Sequence, residues 1–300
     1  GEVYAMAAFF AMLPFWAMFK WDARADDPKS DRWLVFIALM IGLAIGVHIL
    51  SLLVIPALVF IFYFRRFKTT LKGIVVTFFV SFGILAFLLW GVLDLFVKIT
   101  FQIDKVFVNS FGLPFNLGML FFILLVFGIS GYFIMYARRK RIRWLRTALL
   151  CFLMLIMGIS TYAMVVVRAE ANPPINMNDP SDLATLYSYL KREQYGSRPL
   201  IYGPTFTAQP LDLKITGTRY GKDEELHKYI EIGEKREYDF KVDRADLRAR
   251  GVPDYRINEL SALNNMMLFP RIGSTEGRHQ RQYRAWLDLG QDELPTFGHN

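Results

Sequence analysis

Between Arg32 and Arg65 the chain carries no charged residue, and His48 is the one side chain in that run that can titrate near neutrality. A straight helix rises about 1.5 Å per residue, so a single helix over this run would be roughly 48 Å long. The hydrocarbon core of a bilayer is only about 30 Å thick. Gly42, Gly46, His48, Ser51 and Pro56 cluster near the middle of the run. Glycine lowers helix stability, and proline removes a donor and clashes with the turn before it. The run therefore predicts two short membrane helices, near 33–47 and 50–64, meeting at a break that holds His48.

Four further apolar runs read as spans, near 3–19, 73–93, 115–136 and 147–167, the first with Pro14 as a kink. Nothing after Arg168 is long and apolar enough to cross a bilayer. The expected fold is an α-helical polytopic membrane bundle of about six spans over 1–167, followed by a small α+β domain over 168–300. Asp94–Pro114 reads as a neutral, aromatic loop, with two acids and two lysines. No basic leader with a cleavage site precedes the first span, and the chain opens on Gly1 rather than methionine. The expectation is a piece of a longer protein.

Lysine and arginine in short loops stay cytoplasmic. Arg65–Lys72 carries four positive charges and no acid, and Arg138–Arg146 carries six and no acid. Two spans separate these segments, so both can lie inside. Counting from them puts the chain after Arg168 outside, together with the His48 break and the amino terminus, and puts Lys20–Arg32 inside. That last loop has four basic residues matched by four acids, so charge alone does not exclude a single helix over 33–64. The basic block also suits anionic lipid headgroups, and Trp16, Trp21, Trp33 and Trp144 near span ends suit interfacial anchoring.

In the soluble half, Asp179 can cap a helix with Pro180 at its first position. Leu183, Leu186, Tyr187 and Leu190 form one apolar stripe, and Gly196 ends the helix. Pro199–Gly203 reads as a strand, as do segments near 211–216, 226–232 and 236–242, and Gly277–Leu289 reads as a second helix. The formal net charge of +8 follows from the topology signals, and without a recognition fold nucleic acid is not an expected partner. Cys151 lies in an apolar run and reads as a small buried residue. His227, His279 and His299 lack a metal spacing, so no metal site is expected among them.

Gly1–Ala5, Gly42–His48, Asn172–Asn176, Arg192–Gly196 and Pro199–Gly203, with Phe269–Arg271 and Tyr283–Trp286, together resemble one family. It comprises large inner-membrane proteins of Bacteroidetes carrying a domain of unknown function. That family is similar to eukaryotic protein O-mannosyltransferases and to the multi-spanning glycosyltransferases called GT-C. The resemblance implies a bacterial inner-membrane protein whose soluble domain is periplasmic. It implies transfer of a sugar, mannose being the expected one, from a polyprenyl-phosphate donor to a protein or glycan acceptor on the outer face. The usual catalytic base is an acid in the first external loop, which is expected to lie before Gly1, so the catalytic residue is outside this chain. The resemblance implies a central fragment.

On that reading Glu2 and His48 are the candidates for the donor phosphate or sugar. Glu2 would bind a sugar hydroxyl or a divalent metal beside the phosphate; an ordinary interfacial acid at a helix start explains it equally simply. His48 would offer the phosphate a hydrogen bond or, if protonated, a charge. Its plainer role is a ring satisfied by a carbonyl freed at the helix break. Related enzymes often carry lysine at a comparable place, and here the residue is histidine. Arg192, Glu193, Gln194 and Tyr195 are the acceptor-side candidates, with a solvated helix end as the alternative. Gly42 and Gly46 form a Gly-x-x-x-Gly pair suited to close helix packing. Two other classes of function fit less of the sequence. One is a non-enzymatic anchor whose periplasmic domain binds a partner. The other is a transporter with a discontinuous helix pair, for which no inverted repeat is visible.

Overall fold

The uncharged run folds back on itself. In the computed structural model, which describes residues 2–176, 179–191, 202–264, 266–268, 277–290 and 293, helix α1 (Glu2–Asp22) continues through Pro14. Helix α2 (Asp31–Val47) stops where His48 turns extended, at φ −161° and ψ 125°. A 3-10 turn over Ile49–Val54 follows, and α3 (Ile55–Arg66) starts with Pro56 in its first turn, where a missing N–H removes no helix bond. Arg65, at the far end of α3, meets Asp22 at 3.3 Å and Asp26 at 2.8 Å, just before α2 begins. Both ends of the run therefore lie at one end of the bundle, and the break lies at the other. Two antiparallel helices, rather than one, account for 33–64.

The same end gathers the basic segments. Asp31 accepts from Arg143 at 2.6 and 2.7 Å and from the Thr147 hydroxyl at 3.0 Å. Arg66 stacks over the fully buried Trp21, whose other neighbour is the Phe62 ring at 4.9 Å. Loop 20–32 thus shares an end with 65–68 and with the turn before Arg143. In a chain lacking Cys151, single cysteines at Lys29, Lys68 and Arg139 should react with an impermeant thiol reagent from one membrane face. A cysteine at Leu50 should react from the other, and labelling of Lys29→Cys and Leu50→Cys from the same face would refute the folded-back pair.

The expected loop at 94–114 is helical instead. Helix α4 (Leu71–Ala86) runs through a ten-residue π-helical segment (Phe87–Phe96) into α5 (Val97–Phe111), and the whole makes one 41-residue helical stretch. Charge suggested a loop there, but no glycine or proline interrupts Val92–Phe111, and buried Thr100, Phe101, Asp104 and Val108 recur at helical spacing. The chain breaks only at Gly112, which is left-handed at φ 65°. A straight helix of this length would span about 61 Å, roughly twice a hydrocarbon core. It starts against α3 and ends against α6 (Leu117–Arg139). After a tight turn come α7 (Arg143–Ile159), a 3-10 turn and α8 (Ala163–Glu170).

Among the described residues, five helical stretches are long and apolar enough to cross a membrane: Pro28–Val47, Ile49–Arg66, Leu71–Phe111, Leu117–Arg139 and Arg143–Glu170. The expected first span, 3–19, lies inside the 21-residue apolar α1. This is the architecture of a multi-pass membrane protein. Its tightest contact joins α2 to α7. A Cβ on Gly42 would run into the Leu155 carbonyl oxygen, and one on Gly158 would sit 2.7 Å from three backbone atoms of α2. Gly42 is therefore a helix-packing glycine as expected, whereas Gly46 faces the Thr161 hydroxyl. Around this contact Ile45, Leu52, Leu88, Val92, Leu155 and Ile156 form the main apolar core.

Contacts divide the chain into two units: Gly1–Lys191 with Gly221–Ile230, and Arg192–Tyr220 with Glu231–Asn300. The first also holds α9 (Leu183–Leu190), whose N-cap is Asp182 in a capping box with Thr185, not Asp179 as expected, and which ends at Leu190 rather than Gly196. The second holds β1 (Tyr202–Pro204) antiparallel to β4 (Met266–Leu268), with Tyr202 opposite Leu268. Strands β2 (Asp212–Asp223) and β3 (Lys228–Asp239) form a two-stranded ribbon in place of three shorter strands, and its tip, Gly221–Ile230, belongs to the first unit. Two unforeseen helices follow, α10 (Arg244–Ala249) and α11 (Asp254–Leu263), closed over Leu247, Ile257 and Leu260, and α12 (Gly277–Trp286) matches the expected second helix. Asn264 ties this unit together through Gln209 and the Phe240 carbonyl.

Candidate functional site

At the end of the bundle opposite the basic segments, α2 leaves backbone groups without helical partners, and the local side chains supply them. His48 closes α2 and caps the following 3-10 turn: its Nδ1 accepts the Leu50 N–H at 3.2 Å. The carbonyl of Ile45, freed at the break, accepts the Tyr162 hydroxyl at 3.0 Å. Among the described residues no carbonyl accepts from the His48 ring, and the freed Ile45 carbonyl is taken by Tyr162. With Nδ1 accepting, a neutral ring carries its proton on Nε2, and among the described residues no acceptor takes Nε2–H.

The start of α1 lies at the same place. The rings of Tyr4 and His48 are 5.8 Å apart, and the Ser51 hydroxyl donates to the Ala7 carbonyl at 3.4 Å. Glu2 opens α1 two residues before Tyr4, so the chain brings both donor-side candidates to one end of the bundle; the Glu2 side chain itself lies outside the described residues. Arg192, Glu193, Gln194 and Tyr195 also lie outside them. Among the described residues no three His, Cys, Asp or Glu side chains converge as a metal-binding group.

One charged group near this end escaped the sequence reading. Asp94 sits on the π-helical segment and accepts the Tyr187 hydroxyl at 3.0 Å and the Lys191 ammonium at 2.8 Å, fastening α9 to the bundle. Burial lowers the Lys191 pKa, but the Asp94 carboxylate outweighs it and the net shift is upward. Tyr187 is raised by burial and then by its bond to Asp94. Both therefore keep their protons at neutral pH, and the latch closes as a hydrogen-bonded ion pair. A signal was present: Asp94 is the first acid after Asp31 in the sequence. Long π segments are rare and recur at functional sites. Next to it, an apolar groove of about 450 Å³ opens between α5 and α6, lined by Leu95, Ile99, Ile103, Val106 and Phe121, with Lys98 also present.

A second polar cluster, at the α5–α6 turn, has no group to spare. Asp104 is fully buried and accepts from the N–H groups of Asn116, Gly118 and Met119 at 3.1, 2.9 and 3.2 Å. These are the free donors at the start of α6, whose N-cap Asn116 supplies no side-chain bond. The Tyr229 hydroxyl donates to the same carboxylate at 2.8 Å, and burial, then Asp104, pushes the phenol well above its usual range. Asn109 grips the Tyr229 backbone in both directions, donating at 2.8 Å and accepting at 2.9 Å. Every acceptor position here is engaged within the fold, so the cluster is architectural.

Residues 1–71 match the protein O-mannosyl-transferase TMEM260 N-terminal domain family. Residues 196–300 match a family of unknown function, DUF8416. No curated protein and no solved structure matches the chain. The first match runs from α1 to the first residue of α4 and contains the whole folded-back pair, with Gly42, His48 and Arg65. The amino-terminal quarter of the chain is thus similar to a protein O-mannosyl-transferase domain, in a chain with five helical stretches, among the described residues, long and apolar enough to cross a membrane.

Proposed function

We propose that this protein is part of a membrane glycosyltransferase that moves a sugar, mannose by preference, from a polyprenyl-phosphate donor to a protein acceptor on the outer face of a bacterial inner membrane. The observation that carries the reading is the match of residues 1–71, because the matched segment is the one that builds the His48 end of the bundle. In this proposal the donor phosphate lies against the break, and Nε2–H of His48 donates to it. Tyr4 closes one side of the histidine, and the Leu50 bond fixes the ring so that Nε2 keeps one direction. A preorganised donor stabilises the charge that gathers on the phosphate as the sugar departs. The isoprenoid tail would use the apolar groove beside Asp94. Deprotonation of the acceptor hydroxyl falls to a carboxylate base, and Glu2 and Arg192–Tyr195 remain the donor-side and acceptor-side candidates within this chain.

The test is photo-crosslinking of a photoactivatable polyprenyl-phosphate mannose to the protein in membranes. Wild type should crosslink within 42–51 or the start of α1. His48→Asn keeps a side-chain acceptor for the cap, since asparagine is a good N-cap, yet lacks Nε2–H. It should fold and lose crosslinking about tenfold, the size of one hydrogen bond to a charged group. Unchanged crosslinking in His48→Asn would sink the role of the histidine.

A further inference from the structure

The cations at the α6–α7 end of the bundle include a paired group and an exposed group without ion pairs among the described residues. Arg65 is paired with Asp22 and Asp26, and Arg143 with Asp31. Arg138, Arg139, Lys140 and Arg141 are all exposed, and among the described residues none of them forms an ion pair. A charge needed only to orient a helix could be paired like the first group. These four are held out, side by side, on one tight turn.

The backbone of that turn makes the arrangement more pointed. The Ile142 N–H bonds back to the Ala137 carbonyl at 2.8 Å and the Arg141 N–H to the Arg138 carbonyl at 3.3 Å, a Schellman-type stop for α6. The left-handed residue of such a stop is usually glycine. Here it is Arg141, at φ 56°. A side chain in that region costs about 1–2 kcal/mol relative to glycine. The fold accepts that strain and places a guanidinium there. Beside the turn, Trp144 is 72% exposed and Tyr132 and Tyr136 are also exposed, the residue types that settle at the headgroup level of a bilayer.

We propose that the α6–α7 turn is a docking site for anionic phospholipid headgroups, with Arg138, Arg139, Lys140 and Arg141 as its cations and Trp144 as its interfacial anchor. The partner is a lipid rather than a nucleic acid. The turn joins two helices long and apolar enough to cross a membrane, so a lipid phosphate lies at the height of the four side chains. The proposal does not depend on the transferase reading.

Native mass spectrometry of the full chain in a zwitterionic detergent tests it, with phosphatidylglycerol and phosphatidylcholine offered in equal amounts. Wild type should retain phosphatidylglycerol preferentially. Each cation near an anionic surface contributes about 1 kcal/mol, or about fivefold, so replacing all four by glutamine should lower that affinity by roughly several hundredfold. The single change Arg141→Gly separates binding from folding. It should lower phosphatidylglycerol affinity about fivefold while raising the melting temperature in lipid-free detergent, because the strain is relieved. Lys214→Gln with Arg219→Gln, exposed cations of the ribbon, should change neither reading. Equal retention of the two lipids by wild type would overturn the proposal, as would an unaltered preference in Arg141→Gly or in the fourfold variant.

Discussion

Asp104→Ala should lower the melting temperature of the full chain by about 10 °C, the largest effect of any single side-chain truncation in the protein. The carboxylate accepts four hydrogen bonds, from Asn116, Gly118, Met119 and Tyr229. Without it the start of α6 has no other acceptor for these N–H groups, and the Tyr229 hydroxyl is left buried. Each unsatisfied buried donor costs about 1–3 kcal/mol. Partial relaxation toward water at Asn116 reduces the sum, so a loss of about 3–5 kcal/mol is expected. Asp104→Asn keeps the shape and one acceptor and should cost about half as much. Tyr229→Phe removes one bond and should cost about 1 kcal/mol. Because Tyr229 is held on the ribbon tip, Asp104→Ala should also speed proteolysis within Gly221–Ile230. A variant that melts with wild type and cuts at the same rate would mean that the cluster is not what holds the tip.

The second large effect belongs to the α2–α7 contact. A Cβ on Gly158 would lie 2.7 Å from the Gly42 carbonyl carbon, the Leu39 oxygen and the Leu43 nitrogen, all backbone atoms. Backbone in a packed helix pair cannot step aside as a flexible side chain can. Gly158→Ala should cost about 2–3 kcal/mol through overpacking, and Gly158→Leu should prevent the helices from closing and abolish accumulation of folded protein. Gly128→Ala and Gly131→Ala on α6 are the controls. Nothing lies within 4 Å of either added Cβ. Each should therefore be neutral or gain up to about 1 kcal/mol of helix propensity. Equal melting temperatures for Gly158→Ala and Gly131→Ala would contradict the close approach.

These two effects differ in how far the sequence announces them. The folded-back pair is legible because length, missing charge and helix breakers all point to one place, and Gly42 stands out inside it. Asp104 is not legible. Its partner Tyr229 is 125 residues away, and its own surroundings read as a loop because Asp94, Lys98, Asp104 and Lys105 fall close together. Charge density misleads there: the acids are consumed in capping α6 and latching α9 rather than facing water. Helix α9 is legible from its apolar stripe, but its first residue is not, because Asp179 and Asp182 are both good caps and only the second meets a reciprocating Thr185. Helices α10 and α11 went unseen because each buries only one or two apolar side chains, too few for a period to show. His48 is legible as a break residue, while the direction of its ring is not, since the Leu50 N–H and the Tyr4 ring set it through contacts that only folding creates.

In the proposed function the His48 end of the bundle holds a lipid-phosphate sugar during transfer. This role is tested most directly by supplying labelled polyprenyl-phosphate mannose to membranes containing the full-length protein and following label into protein. Membranes with wild type should transfer mannose. Membranes with an equal amount of folded His48→Asn should transfer about tenfold less, in line with the loss of one hydrogen bond to a charged group. Transfer by His48→Asn at the wild-type rate, or by wild type at the rate of membranes lacking the protein, would contradict it.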